Sequence, residues 1–185
     1  IGWMGTDVSH SDIDAVVNGI DMHYFSADSH WLVDAQLVHS DVDGVTGAGG
    51  FGDITYQPER GRQHSLSLSY LDDTLDINDL GFVSRNDYVQ ADYDFSIDRS
   101  DVPGLRALST SVQIFNQWNT DLQPTRVGGF LNRKYTYLDN SSFSASVRYF
   151  NPRIDDRLGR GSGTFRIPER FGVNFSWSDD PSKKL

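Results

Sequence analysis

Asp92 and Asp94 stand two residues apart inside the alternating segment Val89-Gln90-Ala91-Asp92-Tyr93-Asp94-Phe95-Ser96-Ile97. On an extended strand that spacing puts both carboxyl groups on one face, about 6–7 Å apart. Inverting glycosidases hold an acid and a base about 6.5–9.5 Å apart, so the pair has the spacing for glycan hydrolysis. The plainer reading is two hydrated carboxylates on a wet face, because no neighbouring residue type separates a proton donor from an acceptor. Asp41 and Asp43, followed by Gly44, make an acidic turn with a weak likeness to a calcium loop. The distal glutamate of such a loop is missing, and Gly44 comes three residues after Asp41 rather than five, which favours a plain turn. The histidines (His10, His23, His30, His39, His64) show neither H-x-x-x-H nor H-E-x-x-H spacing, and read as solvated or interfacial.

Two long stretches between alternating segments mix charges densely. The first carries Asp72, Asp73, Asp76, Asp79, Arg85 and Asp87 around Leu80-Gly81-Phe82. The second carries Arg153, Asp155, Asp156, Arg157, Arg160, Arg166 and Arg170. Loops of this length that are ordered by charge pairs are often functional, whereas exposed pairs alone contribute only about 0–1 kcal/mol each. The candidate ligand-binding residues are therefore Asn78, Asp79, Arg85, Asp87, Asp92, Asp94, Asp156, Arg157 and Arg160. No nucleophile elbow, phosphate loop or dinucleotide fingerprint is present, so no catalytic residue and no cofactor is assigned.

Strands must position all of these groups. Ser65-Leu66-Ser67-Leu68-Ser69-Tyr70 and Phe143-Ser144-Ala145-Ser146-Val147-Arg148-Tyr149 alternate as strictly as the segment around Asp92. Such segments have one apolar and one polar face. About nine are predicted, near 16–26, 30–39, 49–57, 63–71, 87–97, 106–118, 126–138, 142–150 and 170–178. Most are as long as the roughly 9–11 residues of a tilted membrane strand. Residues 1–13 are expected as a loop and 179–185 as a turn. The connections alternate between short ones (around 27–29, 58–62 and 139–141) and longer ones (40–48, 72–86 and 151–169). All the long connections then fall at one end of the sheet, as in outer-membrane barrels. An odd strand count and the absence of a first methionine suggest an excerpt of a longer protein.

Aromatic residues gather near strand ends (Tyr24, Trp31, Tyr56, Tyr70, Trp118, Tyr137, Tyr149, Trp177), as interfacial girdles would place them. The apolar face should hold Leu66, Leu68, Tyr93, Phe95, Val112, Ile114, Phe143, Val147, Val173 and Phe175. The polar face should hold Ser67, Gln90, Asp92, Asp94, Ser111 and Gln113. The formal charge of −10, from 16 basic and 26 acidic residues, argues against nucleic acid as a partner. Lys134, Lys183 and Lys184 are the only lysines, and soluble sheets commonly use lysine to blunt their edges. The absence of cysteine excludes a disulfide scaffold. A soluble β-sandwich or jelly roll would alternate in the same way.

The long stretches also carry a resemblance. Leu75-Asp76-Ile77-Asn78-Asp79-Leu80-Gly81-Phe82 with Arg85-Asn86-Asp87-Tyr88 is one half of it. Asp155-Asp156-Arg157-Leu158, Arg160-Gly161, Pro168 and Ser178-Asp179-Asp180 are the other. Together, over most of residues 16–185, they resemble the C-terminal β-barrel domain of unknown function in large bacterial outer-membrane proteins. There it follows an N-terminal module like the family-9 carbohydrate-binding domains, and the family is often labelled a membrane-associated hydrolase. This chain departs from the pattern where Gly159 precedes Arg160 and Gly161 is followed by Ser162-Gly163. The resemblance implies the outer membrane of a Gram-negative bacterium, lipid as one partner, a polysaccharide or oligosaccharide as another, and a carbohydrate-binding module in the parent chain. It supplies no catalytic residue. The expectation is an all-β antiparallel meander, part of a transmembrane barrel associated with polysaccharide binding or uptake. A membrane-bound glycan hydrolase and a soluble carbohydrate-binding sandwich stand as the alternatives.

Overall fold

Alternating segments become strands because the ladder satisfies their backbone while sending every apolar side chain to one side. The computed structural model describes residues 1–9, 14–77, 85–155 and 163–180. In chain order the strands are β1 (Gly2–Ser9), β2 (Asp14–Phe25), β3 (Trp31–Val42), β4 (Val45–Glu59), β5 (Arg62–Leu71), β6 (Tyr88–Arg99), β7 (Leu105–Trp118), β8 (Pro124–Tyr137), β9 (Ser142–Phe150), β10 (Arg153–Asp155), β11 (Phe165–Ile167) and β12 (Arg170–Ser178). All but β10 and β11 form one antiparallel meander, each strand beside its chain neighbour and β12 beside β9. β10 and β11 make a small hairpin within the connection from β9 to β12. The described residues contain no helix. The meander is an open sheet, with β1 and β12 as its edges.

Two expectations are corrected. Residues 1–13 are not all loop: Gly2–Ser9 pairs along its whole length with Asp14–Asp21, which adds a tenth strand to the sheet. The glycine-rich stretch 40–48 is not a long connection either. β3 and β4 run straight through it to a two-residue turn, Val42 pairing with Val45. Asp43 (φ 51°) and Gly44 (φ 81°) supply the left-handed conformations that a tight Asp-Gly hairpin requires. The asymmetry between the two ends of the sheet therefore rests on the connections after β5 and β9.

The register assigns every strand residue to a face. The predicted apolar set, Leu66 through Phe175, lies on one face, and Ser67, Gln90, Asp92, Asp94, Ser111 and Gln113 lie on the other. The large exposed apolar side chains of the ten-stranded sheet, such as Ile20, Leu37, Leu68, Ile114, Leu131 and Phe175, belong to the apolar face, except Met4, Phe25 and Val45. The buried apolar residues do the reverse. Ala15, Val17, Leu71 and Phe115 are buried on the polar face and Leu75 in the connection above it, whereas among the described residues only Leu108 is an apolar residue buried on the apolar face.

Aromatic side chains bound the apolar face at both ends. At the end with the shorter turns Trp31, Tyr56, His64 and Phe95 are consecutive cross-strand partners on β3 to β6. Trp31 stacks on Tyr56 at 4.3 Å, and His64 lies 4.9 Å from Phe95 between ring centroids. Tyr137 and Trp177, 5.6 Å apart, continue the row. Tyr70, Trp118, Tyr149 and Phe171 stand at the other end. On β12 Phe171 and Trp177 stand six positions apart, about 20 Å along the strand at roughly 3.4 Å per residue.

Candidate functional site

The polar face is built from cross-strand rungs, and one of them reads His23, Asp34, Asp53, Ser67, Asp92, Phe115, Gly128, Phe150, Arg170 from β2 to β12. Along this rung and its neighbours charge is sorted by strand. Asp21, Asp34, Asp53, Asp92, Asp94 and Asp98 occupy β2 to β6, with no lysine or arginine on that face of those strands. Arg126, Lys134, Arg148 and Arg170 occupy β8, β9 and β12, with no acid. β7 presents Ser109, Ser111, Gln113, Phe115 and Gln117 between them.

The two signs meet at Asp92. Its Oδ2 accepts a hydrogen bond from Gln90 Nε2 at 2.8 Å and lies 3.4 Å from Arg126 Nη1. Gln117 Nε2 donates to Gln90 Oε1 at 2.6 Å, and Thr125 Oγ1 donates to Gln117 Oε1 at 2.9 Å. A hydroxyl, two amides, a carboxylate and a guanidinium thus form one chain across β6, β7 and β8. The buried Oδ1 of Asp92 has no partner among the described residues. Arg126 also lies over the Phe115 ring, 4.3 Å from its centroid, a cation–π contact that shields an apolar side chain on a wet face. Phe115 is 5.5 Å from Phe130 and 5.7 Å from Phe150. Gly128, between the two strands, leaves the room: a Cβ there would sit 2.3 Å from Tyr149 O and 3.1 Å from Phe115 Cζ. Arg153 of the β10–β11 hairpin covers Phe150, 5.6 Å from its centroid.

The predicted residues divide accordingly. Asp92 and Asp94 do share the polar face, but Asp92 is tied into the network while Asp94 is exposed, opposite Ser65 and Gln113. Asp87 is a brace between connections: its Oδ1 accepts from Thr120 N at 3.0 Å and Thr120 Oγ1 at 2.5 Å. Arg85 is half-buried beside it in the chain. Asn78, Asp79, Asp156, Arg157 and Arg160 lie outside the described residues. Asp41 and Asp43 turn to backbone N–H groups, Oδ1 of Asp41 accepting from Gly44 N and Oδ1 of Asp43 from Asp14 N, each at 3.0 Å. Among the described residues no group of three or more His, Asp or Glu side chains is placed to hold a metal ion.

Sequence reasoning missed Arg126, Gln117, Phe115 and the pairing of His23 with Asp34, whose Nδ1 and Oδ1 are 2.5 Å apart. Their signal lay in register, which places residues far apart in the chain side by side. Chemically the cluster offers what recognises hydroxyl-rich or charged solutes: paired amide donors and acceptors, a carboxylate and a guanidinium.

No protein-family model, curated protein or solved structure matches this chain. The resemblance to the outer-membrane C-terminal domain accordingly rests on the loop motifs quoted for it.

Proposed function

We propose that this chain is a sector of the wall of an outer-membrane β-barrel in a Gram-negative bacterium. The apolar face would meet lipid and the polar face an aqueous interior used in binding or uptake of polysaccharide or oligosaccharide. One observation carries the reading: an apolar face spanning ten strands, bounded by aromatic rows and left uncovered by any element among the described residues. Contiguous exposed apolar patches on soluble monomers rarely exceed a few hundred Å², so this face needs another apolar phase. Strands of 9–15 residues in β2 to β9 and β12 suit a bilayer better than the usual globular strand of about 5–6. The aromatic rows stand at opposite ends of that face, as the girdles of such barrels do. The open edges β1 and β12 would pair with further strands, since an unpaired edge is not viable in lipid. The glycan assignment draws on the resemblance and on the Asp92–Arg126 network.

The test is membrane fractionation of the complete gene product, followed by gel mobility with and without boiling. Outer-membrane location with heat-modifiable mobility is expected. A soluble species of single mobility would instead favour the sandwich. Oligosaccharide binding should then weaken in Asp92→Asn and Arg126→Gln with assembly intact, and glycan turnover lost in Asp92→Asn would favour the hydrolase.

A further inference from the structure

Residues 72–77, the first part of the connection after β5, lie against the sheet. Leu75 is buried, 3% exposed, on the polar face near the tight β3–β4 turn. It rests on a seat from which side chains are missing. A Cβ on Gly47 would lie 2.3 Å from Leu75 Cα and 2.4 Å from Leu75 N, and a Cβ on Gly49 would lie 2.9 Å from Leu75 Cδ2. Polar ties fix the segment on both sides of that contact. Thr74 Oγ1 donates to Thr46 O at 2.8 Å, and Asp72 Oδ2 accepts from Ala48 N at 2.7 Å. Asp76 N donates to Oγ of the fully buried Ser40 at 3.1 Å. From the far side of the connection Asn86 Nδ2 donates to Asp73 O at 2.7 Å.

From this seat we infer that residues 72–77 form a fixed, inward-folded constriction of the barrel interior that sets the size of solute it admits. The inference rests on the barrel reading above. Three features favour a permanent element over a mobile flap. The contact is backbone against backbone, which leaves no slack for a side chain to rearrange. The ties reach main-chain groups of β4 as well as a buried hydroxyl on β3. The apolar residues that the seat buries, Leu71 and Leu75, would otherwise be among the few greasy groups on a wet surface. The occupied area covers β3 and β4 at the long-loop end, on the acidic side of the polar face. A neutral oligosaccharide is therefore the informative probe, since charge then plays no part in its passage.

The complete gene product is reconstituted in liposomes, and swelling rates are measured with neutral oligosaccharides of graded length. Gel mobility with and without boiling is recorded for each variant. Gly47→Val should expel the segment, and Leu75→Asp should do so without touching any strand. Both are expected to keep heat-modifiable mobility and to admit oligosaccharides that wild type excludes. Gly52→Ala, on the apolar face with its Cβ 3.9 Å from the nearest atom, is expected to keep the wild-type limit. An unchanged limit in assembled Gly47→Val and Leu75→Asp, or no passage through any of the three, overturns the constriction. If Gly47→Val fails to assemble, Leu75→Asp decides alone. Wild type without heat-modifiable mobility overturns the barrel reading itself, and the constriction with it.

Discussion

The two faces of the sheet use apolar residues in opposite ways. The buried apolar side chains gather on the polar face: Phe115 beneath Arg126, Leu71 under the connection that carries Leu75. On the other face Leu37, Leu68, Ile114, Phe171 and Phe175 are left open to the surroundings. An ordinary globular domain covers its apolar face first and leaves the polar one to water. Here the chain's own connections fold onto the wet side, and no element covers the greasy side among the described residues. The comparison teaches that hydrophobicity positions described segments of the connections on one face, while the other is satisfied by none of the described residues.

The largest effect should come from the apolar cluster on the polar face. Phe115 is fully buried among Phe130, Phe150 and the Arg126 guanidinium. Phe115→Ala should cost about 3–5 kcal/mol, the range for emptying a packed aromatic site, read from urea unfolding of the refolded protein. A loss below about 1 kcal/mol would mean that the cluster packs no more tightly than a surface patch.

The contrast between faces is tested most directly at adjacent residues of β5. Leu68 points to the apolar face and Ser67 to the polar one, beside Asp53 and Asp92. On the proposed reading Leu68→Arg should destabilise insertion by about 2–4 kcal/mol, the cost of an arginine at the bilayer midplane. Ser67→Arg should change stability by no more than about 0.5 kcal/mol, because it meets water and two carboxylates. Folding into vesicles, monitored by heat-modifiable mobility, measures both. Equal behaviour of the two variants would remove the distinction between the faces.

Much of this contrast was legible in the sequence because period two is the geometry of a strand. Alternation around Leu66, Phe95 and Phe143 assigned faces correctly without any knowledge of pairing. What it could not supply were relations between strands. The sorting of Asp34, Asp53 and Asp92 from Arg126 and Arg148 exists only once registers are fixed. Glycine misled: the stretch 40–48, with Gly44 and Gly47, suggests a loop by composition, yet Gly47 is a strand residue, and the missing side chains of Gly47 and Gly49 admit Leu75. β1 was passed over because Gly2 to Ser9 is not cleanly alternating, and its pairing with β2 supplies the order that its own pattern lacks.

Gly44 tests a smaller term, the backbone conformation that lets β3 and β4 continue to a two-residue turn. At φ 81° an added side chain meets no neighbouring atom within 4 Å, so only the conformational cost remains. Gly44→Ala should therefore destabilise by about 1–2 kcal/mol, visible in the same urea titration. A neutral result would show that the hairpin adopts another turn type without disturbing the seat for Leu75.

The smallest effect is expected at the opposite end of the sheet, in the turn between β2 and β3. Ser26 Oγ donates to Asp28 Oδ1 at 2.5 Å, and His30 N donates to the same oxygen at 3.1 Å. The Ser26 hydroxyl first, and the His30 amide second, hold the Asp28 carboxyl below its ordinary value. A carboxyl lowered on folding stabilises the folded state above its unfolded value, and that contribution fades as pH falls through the folded value. Wild type and Asp28→Ala should thus differ most near neutrality and converge in acid, with wild type the more stable. Because Asp28 is fully exposed, solvent screens the interaction and the gap should be the smallest of the series. Unfolding of both proteins across the acid range measures it. A gap that widened towards acid would reverse the sign, and would mean that the Ser26 and His30 contacts are not what orders this turn.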